Sequence, residues 1–173
     1  MKKYKNVTYP NLISKLYFNF LYYFIYQFCN KKDKILDFGG GIGLLKSYML
    51  KRGIKNIIIY DKIKKLSETK DWTKLEFDTV IISQVLYLLS EQEIRNLFRK
   101  INKKKINKII IAFSTQSLIN KVFAFFLFHK DAHKNTKTSS SLEEILIEEY
   151  FFINKKINFF GLFKVIKSTG FKL

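Results

Sequence analysis

Apolar residues along this chain gather into short unbroken runs, separated by polar stretches and by segments with helical spacing. The runs centred on Ile57-Ile58-Ile59 and Ile109-Ile110-Ile111 show no alternation, which is the pattern of parallel strands buried on both faces. The spacing predicts strands near 34–38, 56–60, 79–83 and 107–113. Helices are predicted over 43–52 and, with a stronger pattern, over 91–103. In the second, Ser90 stands as N-cap with Glu93 at the third helical position, and Ile94, Leu97, Phe98 and Ile101 form a stripe suited to cover a sheet. Gly53 suits the left-handed cap that would end the first helix. Beyond the polar loop 134–141, Ser141 to Leu146 reads as a capped helix; the chain then runs from Phe151 to Phe160, turns at Gly161 and returns through Leu162 to Lys167. Strands alternating with amphipathic segments predict an α/β architecture.

The densest chemical signal is Ile35-Leu36-Asp37-Phe38-Gly39-Gly40-Gly41-Ile42-Gly43, a strand ending in an acid and opening into a glycine turn before an apolar helix. A dinucleotide fingerprint fails, because counting GxGxxG from Gly39 or Gly41 puts its third glycine on Leu44 or Lys46. A phosphate-cradling P-loop fails too, since Gly43 is followed by Leu44 and not by Lys-Ser/Thr. DxGxGxG fits without a gap through Asp37, Gly39, Gly41 and Gly43, and in this the chain resembles the class I S-adenosylmethionine-dependent methyltransferases. That ligand carries an amino acid head, a sulfonium and an adenosine but no phosphate, so the loop must offer close backbone approach, which glycine allows.

The resemblance implies roles residue by residue. Gly39, Gly40, Gly41 and Gly43 would shape the loop, Asp37 would orient it near the amino acid head, and Asp61, ending the next strand, would receive the ribose hydroxyls. Phe77-Asp78 opening a buried strand that closes in Ser83-Gln84-Val85 resembles a second phrase of the family, which would set these three residues beside the methionine part of the ligand. Only sixteen residues, 62 to 77, lie between Asp61 and Asp78, so the family's third strand is expected to be abbreviated or absent. Asp71-Trp72 then resembles the pair that contacts adenine, Asp71 accepting from its amine and Trp72 stacking on it or anchoring the loop. The fold implied is a doubly wound, Rossmann-like, mostly parallel sheet with a C-terminal antiparallel hairpin and a shortened helix B/strand 3 region. Residues 1–32 would form an N-terminal aromatic helical cap and 33–173 the methyltransferase domain, together one globular unit.

Charge adds a partner question. The 173 residues carry 32 Lys and Arg against 14 Asp and Glu, a formal charge of +18 that attracts anions. The basic residues come in scattered pairs and triplets such as Lys2-Lys3, Lys64-Lys65 and Lys155-Lys156, which favours a solvated surface over a nucleic-acid arm. Cys29 is the single cysteine, so no internal disulfide is expected and a reducing, cytoplasmic setting is the simplest reading. The apolar stretch 12–28 is interrupted by Lys15, Asn19 and Gln27 and makes neither a good signal peptide nor a good membrane span. It and the stretch 118–128 are rich in aromatic residues; both are expected to pack as cap and core, with an apolar lid at the active-site mouth or peripheral membrane contact as the other reading.

The acceptor is where the motifs stop. A small or lipid-linked metabolite is the expected substrate class. His129 and His133, in His-Lys-Asp-Ala-His, are the only histidines available as a general base, and with no third ligand evident no metal site is expected. Ser83-Gln84 is not the Asn/Asp-Pro-Pro-Tyr/Phe sequence that serves base-amine methylation, and Cys29 lies before the first strand, where no cytosine-C5 enzyme would keep its nucleophile. An RNA methyltransferase and a non-catalytic partner subunit that keeps the fold are the alternatives.

Overall fold

The computed structural model describes residues 12–104, 106–115, 117 and 136–172. Helix α1 (Leu12–Tyr26) leads into β1 (Ile35–Phe38), α2 (Leu44–Leu50) and β2 (Ile57–Tyr60). There follow β3 (Thr79–Ser83), α3 (Glu91–Lys103), β4 (Lys108–Ser114), α4 (Ser140–Tyr150), β5 (Phe151–Phe159) and β6 (Phe163–Phe171). The six strands form one sheet in the order β2-β1-β3-β4-β6-β5. β1 to β4 are mutually parallel, and β6 is antiparallel to both β4 and β5. The expected mostly parallel sheet with a closing hairpin is therefore present.

Successive strand residues point to opposite faces, so an isoleucine run inside the sheet must satisfy two cores. Ile35, Ile57, Ile81 and Ile110 join α1 and α2 on one face. Leu36, Val80, Ile82, Ile109 and Ile111 join α3 and α4 on the other. Double burial is the cause of the Ile109-Ile110-Ile111 run; in the 57–59 run, on the edge strand β2, Ile57 and Ile59 are buried but Ile58 is exposed, because no element among the described residues covers that face at the edge.

Helix α3 starts as its sequence predicts. Ser90 Oγ accepts from the Glu93 N–H at 3.3 Å, and the Glu93 carboxylate accepts the Ser90 N–H at 2.8 Å. The start of α4 differs by two residues from its reading: Ser139, not Ser141, is the cap, accepting from the Leu142 N–H at 3.3 Å. Gly53 takes φ 88° beyond α2, and the Gly53 N–H reaches the Leu50 carbonyl at 3.2 Å.

Beyond β2 no further strand is added among the described residues, as the short spacing predicts, and β2 is the sheet edge. An exposed edge presents unpaired backbone groups. Glu68 replaces part of the lost ladder: its N–H donates to the Ile59 carbonyl at 2.9 Å, and its carboxylate accepts the Ile59 N–H at 2.8 Å. The same carboxylate accepts twice from Lys46 of α2, at 2.7 and 2.8 Å, which ties the irregular segment to the helix behind it.

Helix α1 packs across α2, β4 and β6. Tyr17, Leu21, Tyr22 and Ile25 are buried, with Tyr17 edge-on to Phe163 at 5.4 Å and Tyr22 edge-on to Tyr48 at 5.7 Å. Its exit is pinned by Asp33, whose carboxylate accepts from Lys108 at 2.5 Å and from the Asn30 N–H at 2.8 Å.

Candidate active site

The connection out of β1 crosses to β2 on one side, while β3 lies on the other, so the strand order reverses between β1 and β3. Open α/β sheets bind ligands at the carboxyl ends of the strands at such a switch point. The glycine turn leaves β1 at this place.

Backbone geometry explains the glycines. Gly39 takes φ 76°, and a Cβ there would stand 2.4 Å from Val85 Cγ2, so the loop can nest against the segment after β3 only without a side chain. Gly41 takes φ 52° and faces open space, which leaves its backbone accessible. Asp61 Oδ2 accepts the Gly41 N–H at 3.0 Å while its Oδ1 accepts from the Ile63 N–H at 2.8 Å. Asp61 thus links the end of β2 to the glycine turn. A carboxylate offers about four lone-pair positions, so two remain for further donors.

Asp37 is buried to 1% exposure on the face shared with α1 and α2. Its Oδ2 has no hydrogen-bond partner, and a Cβ on Gly40 would come within 2.5 Å of that oxygen. Burial pushes its carboxyl up from the ordinary 3.8 to about 7, with Lys46 pulling the other way. A buried acceptor without a donor is costly unless something supplies one. Beside it lies a cavity of about 200 Å3 lined by the glycine turn, Asp37, Ser83 and Gln84, and roofed by Phe18 and Tyr22 of α1. Sites that enclose a whole small-molecule ligand start at roughly 300 Å3, so a nucleoside-sized molecule would extend beyond the cavity.

The segment after β3 carries backbone strain. Gln84 takes φ 57°, a left-handed conformation uncommon for a residue with a side chain. A backbone bond from Gln84 N–H to the Ala112 carbonyl at 2.8 Å holds it there. Its side chain then closes a ring of hydrogen bonds: Tyr17 OH donates to Ser114 Oγ at 3.0 Å, Ser114 donates to Gln84 Oε1 at 2.7 Å, and Gln84 Nε2 donates to Tyr17 OH at 3.3 Å. Burial lifts the Tyr17 phenol to about 12, so it stays a donor at neutral pH.

On the far side of that segment, the Lys137 N–H donates to the Tyr87 carbonyl at 2.7 Å and Thr138 Oγ1 donates to the Leu89 carbonyl at 2.5 Å. These bonds bring the first turn of α4 to the strand ends, and with it Glu143, buried to 1% exposure with Oε1 unpartnered. Burial raises the Glu143 carboxyl from 4.5 to about 8. In turn, burial and Glu143 raise the Tyr87 phenol.

Of the residues singled out in the sequence, Asp37, Gly39, Gly40, Gly41, Ser83 and Gln84 line one cavity, and Asp61 joins them through Gly41. Gly43, φ 85°, caps α2 behind the loop. Asp71 and Trp72 stand elsewhere. Asp71 Oδ1 accepts from the Thr73 N–H at 3.0 Å and the Thr73 hydroxyl at 2.6 Å, which caps a short 3-10 turn and lowers its pKa. The Trp72 ring is buried among Phe38, Tyr60 and Phe77, at 5.7, 6.4 and 6.2 Å between ring centroids. It anchors the loop in the core, the second of its two expected roles. His129 and His133 lie outside the described residues. Phe18 and Tyr22, which line the cavity, come from the aromatic stretch 12–28 that the sequence offered as a lid, whereas Ser114 and, near Tyr87, Glu143 were not singled out.

No family model matches the chain, and no curated protein matches it at the level of sequence. Solved structures do match. The PH0226 protein from Pyrococcus horikoshii OT3 superposes with a TM-score of 0.60 at 15% identity over 98% of this chain and 95% of its own. A SAM-dependent methyltransferase from Archaeoglobus fulgidus gives 0.60 at 17% identity over 91% of this chain and 94% of its own. Human N-acetylserotonin methyltransferase, solved in complex with SAM, also gives 0.60, at 15% identity over 91% of this chain but only 53% of the human one. The chain has the Rossmann-like fold of the class I methyltransferases.

Proposed function

We propose that this protein transfers the methyl group of S-adenosylmethionine to a small or lipid-linked acceptor. The observation that carries the reading is the buried Asp37 Oδ2, without a donor of its own, beside a glycine cradle that Asp61 holds open toward a cavity. Within this reading an ammonium meets Asp37, the free lone pairs of Asp61 meet vicinal hydroxyls, and Gly39 and Gly41 let the backbone approach an uncharged ring.

When bound, S-adenosylmethionine would supply an electrophilic methyl on a sulfonium, to which the acceptor atom bonds in line as the carbon–sulfur bond breaks and S-adenosylhomocysteine leaves. The chain's own part is positioning and exclusion of water, which can account for much of such an acceleration. The α1 side chains Phe18 and Tyr22 wall the cavity on one side, and the Tyr17–Ser114–Gln84 ring holds Gln84, which lines it, in place. A hydroxyl acceptor must also lose a proton. Glu143, at the same end of the sheet and behind Tyr87, can take that proton only in its ionised form, which becomes populated as pH rises toward about 8.

Calorimetric titration of S-adenosylmethionine and S-adenosylhomocysteine tests the reading, with Asp61→Ala alongside. Micromolar binding that the variant loses supports it; a folded wild type that binds neither compound overturns it. Because an ammonium favours the charged form of Asp37, affinity should also rise with pH through about 7.

A further inference from the structure

The basic residues look scattered along the sequence, but the acidic ones are not. Residues 1–32, 38–60 and 150–173 contain no Asp or Glu at all. These are the stretches that supply α1, α2 and the β5–β6 hairpin, and the fold packs them together on one side of the sheet. The acids that partly offset the charge sit in the other stretches: Glu68 reaches Lys46 of α2, and Glu144 reaches Lys156 and Lys164 of the hairpin.

The same side carries an apolar stripe that the core does not use. Leu12, Leu16, Phe20 and Tyr23 recur at helical spacing along the outer face of α1 and are 70%, 51%, 48% and 47% exposed. Phe20 stacks on Phe159 at 5.2 Å, and next to Phe159 stands Phe160 at the hairpin turn, 75% exposed. Apart from Lys15 and Asn19 at its flank, this outer face is apolar, and only the inner half of the helix is covered by protein. At 15 residues α1 is too short to cross a bilayer, and no helix among the described residues is long and apolar enough to do so.

Between α1 and α2, flanking the stripe, opens a groove of about 360 Å3 lined by Lys15, Asn19, Ser47, Tyr48, Lys51 and Arg52. The Arg52 guanidinium lies 3.5 Å over the Tyr48 ring, which orients it in advance. Lys15, Lys51 and Arg52 have no carboxylate partner among the described residues, in contrast to Lys46, which Glu68 neutralises.

We propose that this side of the protein docks on an anionic lipid bilayer, the α1 stripe and Phe160 entering the interface while Lys15, Lys51 and Arg52 receive lipid phosphates. Apolar side chains flanked by unpaired cations match the two layers of such a surface. Docking sets the active-site mouth at the headgroup layer, because the inner face of the same helix lines the cavity through Phe18 and Tyr22. A lipid-linked acceptor would then reach the site without leaving the membrane; that consequence rests on the methyl-transfer reading, whereas the docking does not.

Flotation with vesicles tests this, using phosphatidylcholine alone and phosphatidylcholine with about one-third phosphatidylglycerol. The wild type should float with the anionic vesicles at least about 10-fold more strongly than with the neutral ones, and salt should weaken the association. Lys15→Gln/Lys51→Gln/Arg52→Gln should lower binding roughly 100-fold, and Leu16→Ser/Phe20→Ser by a similar factor. S-adenosylhomocysteine titration and thermal melting of each variant show whether the site and the fold persist. Failure of the wild type to float, equal flotation of folded variants, or release by millimolar inorganic phosphate alone would each overturn the proposal. So would a concentration-dependent dimer that hides the stripe, or a preference for single-stranded RNA over anionic vesicles. A wild type that floats but binds no S-adenosylhomocysteine would instead sink the methyl-transfer reading alone.

Discussion

The two halves of the candidate site are built on opposite principles. The half after β1 and β2 is local: Asp37, Gly39, Gly41 and Asp61 lie within 25 residues, and one hydrogen bond from the Gly41 N–H joins its two loops. The half after β3 and β4 is assembled from a distance. Tyr17 meets Ser114 across 97 positions and Gln84 across 67, and Glu143 arrives from a helix far along the chain. The first half needs special backbone and ordinary packing; the second needs ordinary residue types and a special arrangement. Damage to the first should therefore remove ligand binding outright, and damage to the second should tune it.

The largest effect is expected at Gly39→Ala. Its Cβ would collide with Val85 at a backbone angle that already disfavours a side chain, so S-adenosylhomocysteine binding should vanish and stability fall by about 2 kcal/mol or more. Adding Val85→Ala should recover part of the stability in a denaturant titration. If Gly39→Ala binds like the wild type, the contrast between the halves collapses.

A pH series probes one buried carboxyl from each half. Both groups have raised pKa values in the folded protein, Asp37 from 3.8 to about 7 and Glu143 from 4.5 to about 8. The native state thus holds protons that the unfolded chain has released, and the stability this confers is present below about 4 and is lost as pH rises through 7 and 8. Between pH 5 and 8 the ligand-free protein should lose stability on the order of a few kcal/mol from these two groups. Asp37→Asn should flatten the lower part of the curve and Glu143→Gln the upper part, each read by melting temperature against pH. Curves that rise over this range in both variants and in the wild type would refute the assignment.

Glu68→Ala sharpens the comparison within the first half. It leaves the Ile59 N–H without its acceptor at the sheet edge, a loss of about 1–3 kcal/mol in chemical denaturation, and ligand affinity should fall less than at Gly39 because Asp61 keeps its own bond to the glycine turn. The smallest change is expected for Tyr17→Phe, which removes one donor from the three-membered ring and costs about 1 kcal/mol with S-adenosylhomocysteine affinity nearly unchanged. A large affinity loss there would mean that the second half holds the cofactor as directly as the first.

Much of the first half was legible because its signals are short-range. An apolar run ending in an acid, a glycine at each alternate position and a second acid some twenty residues on constrain one another through the geometry of a single strand–turn–helix unit. Asp71 and Trp72 show how that legibility fades. With one strand deleted, the segment that would carry them to an adenine ring has no ladder to follow, and Trp72 drops into the aromatic cluster around Phe38 and Tyr60 while Asp71 caps its own turn. Glu143-Glu144 illustrates another limit. Two adjacent acids on a helix read as a solvated pair, yet Glu144 faces out to Lys156 and Lys164 and Glu143 turns inward without a partner.

By itself the sequence determined the strand and helix pattern, the capping box of α3, the glycine turn with its two acids, and the loss of the third strand. Each of these is decided by residues within one or two elements, where backbone sterics and hydrogen-bond reach act over a few positions. Only the tertiary structure decided that α1 roofs the cavity, that Tyr17, Gln84 and Ser114 close a ring, that Glu68 patches the β2 edge, and that acid-free stretches share one side. Those features depend on which faces the sheet order and the helix crossings bring together. Burial, partner and field at such a place are properties of the assembled packing, which no window of the chain contains.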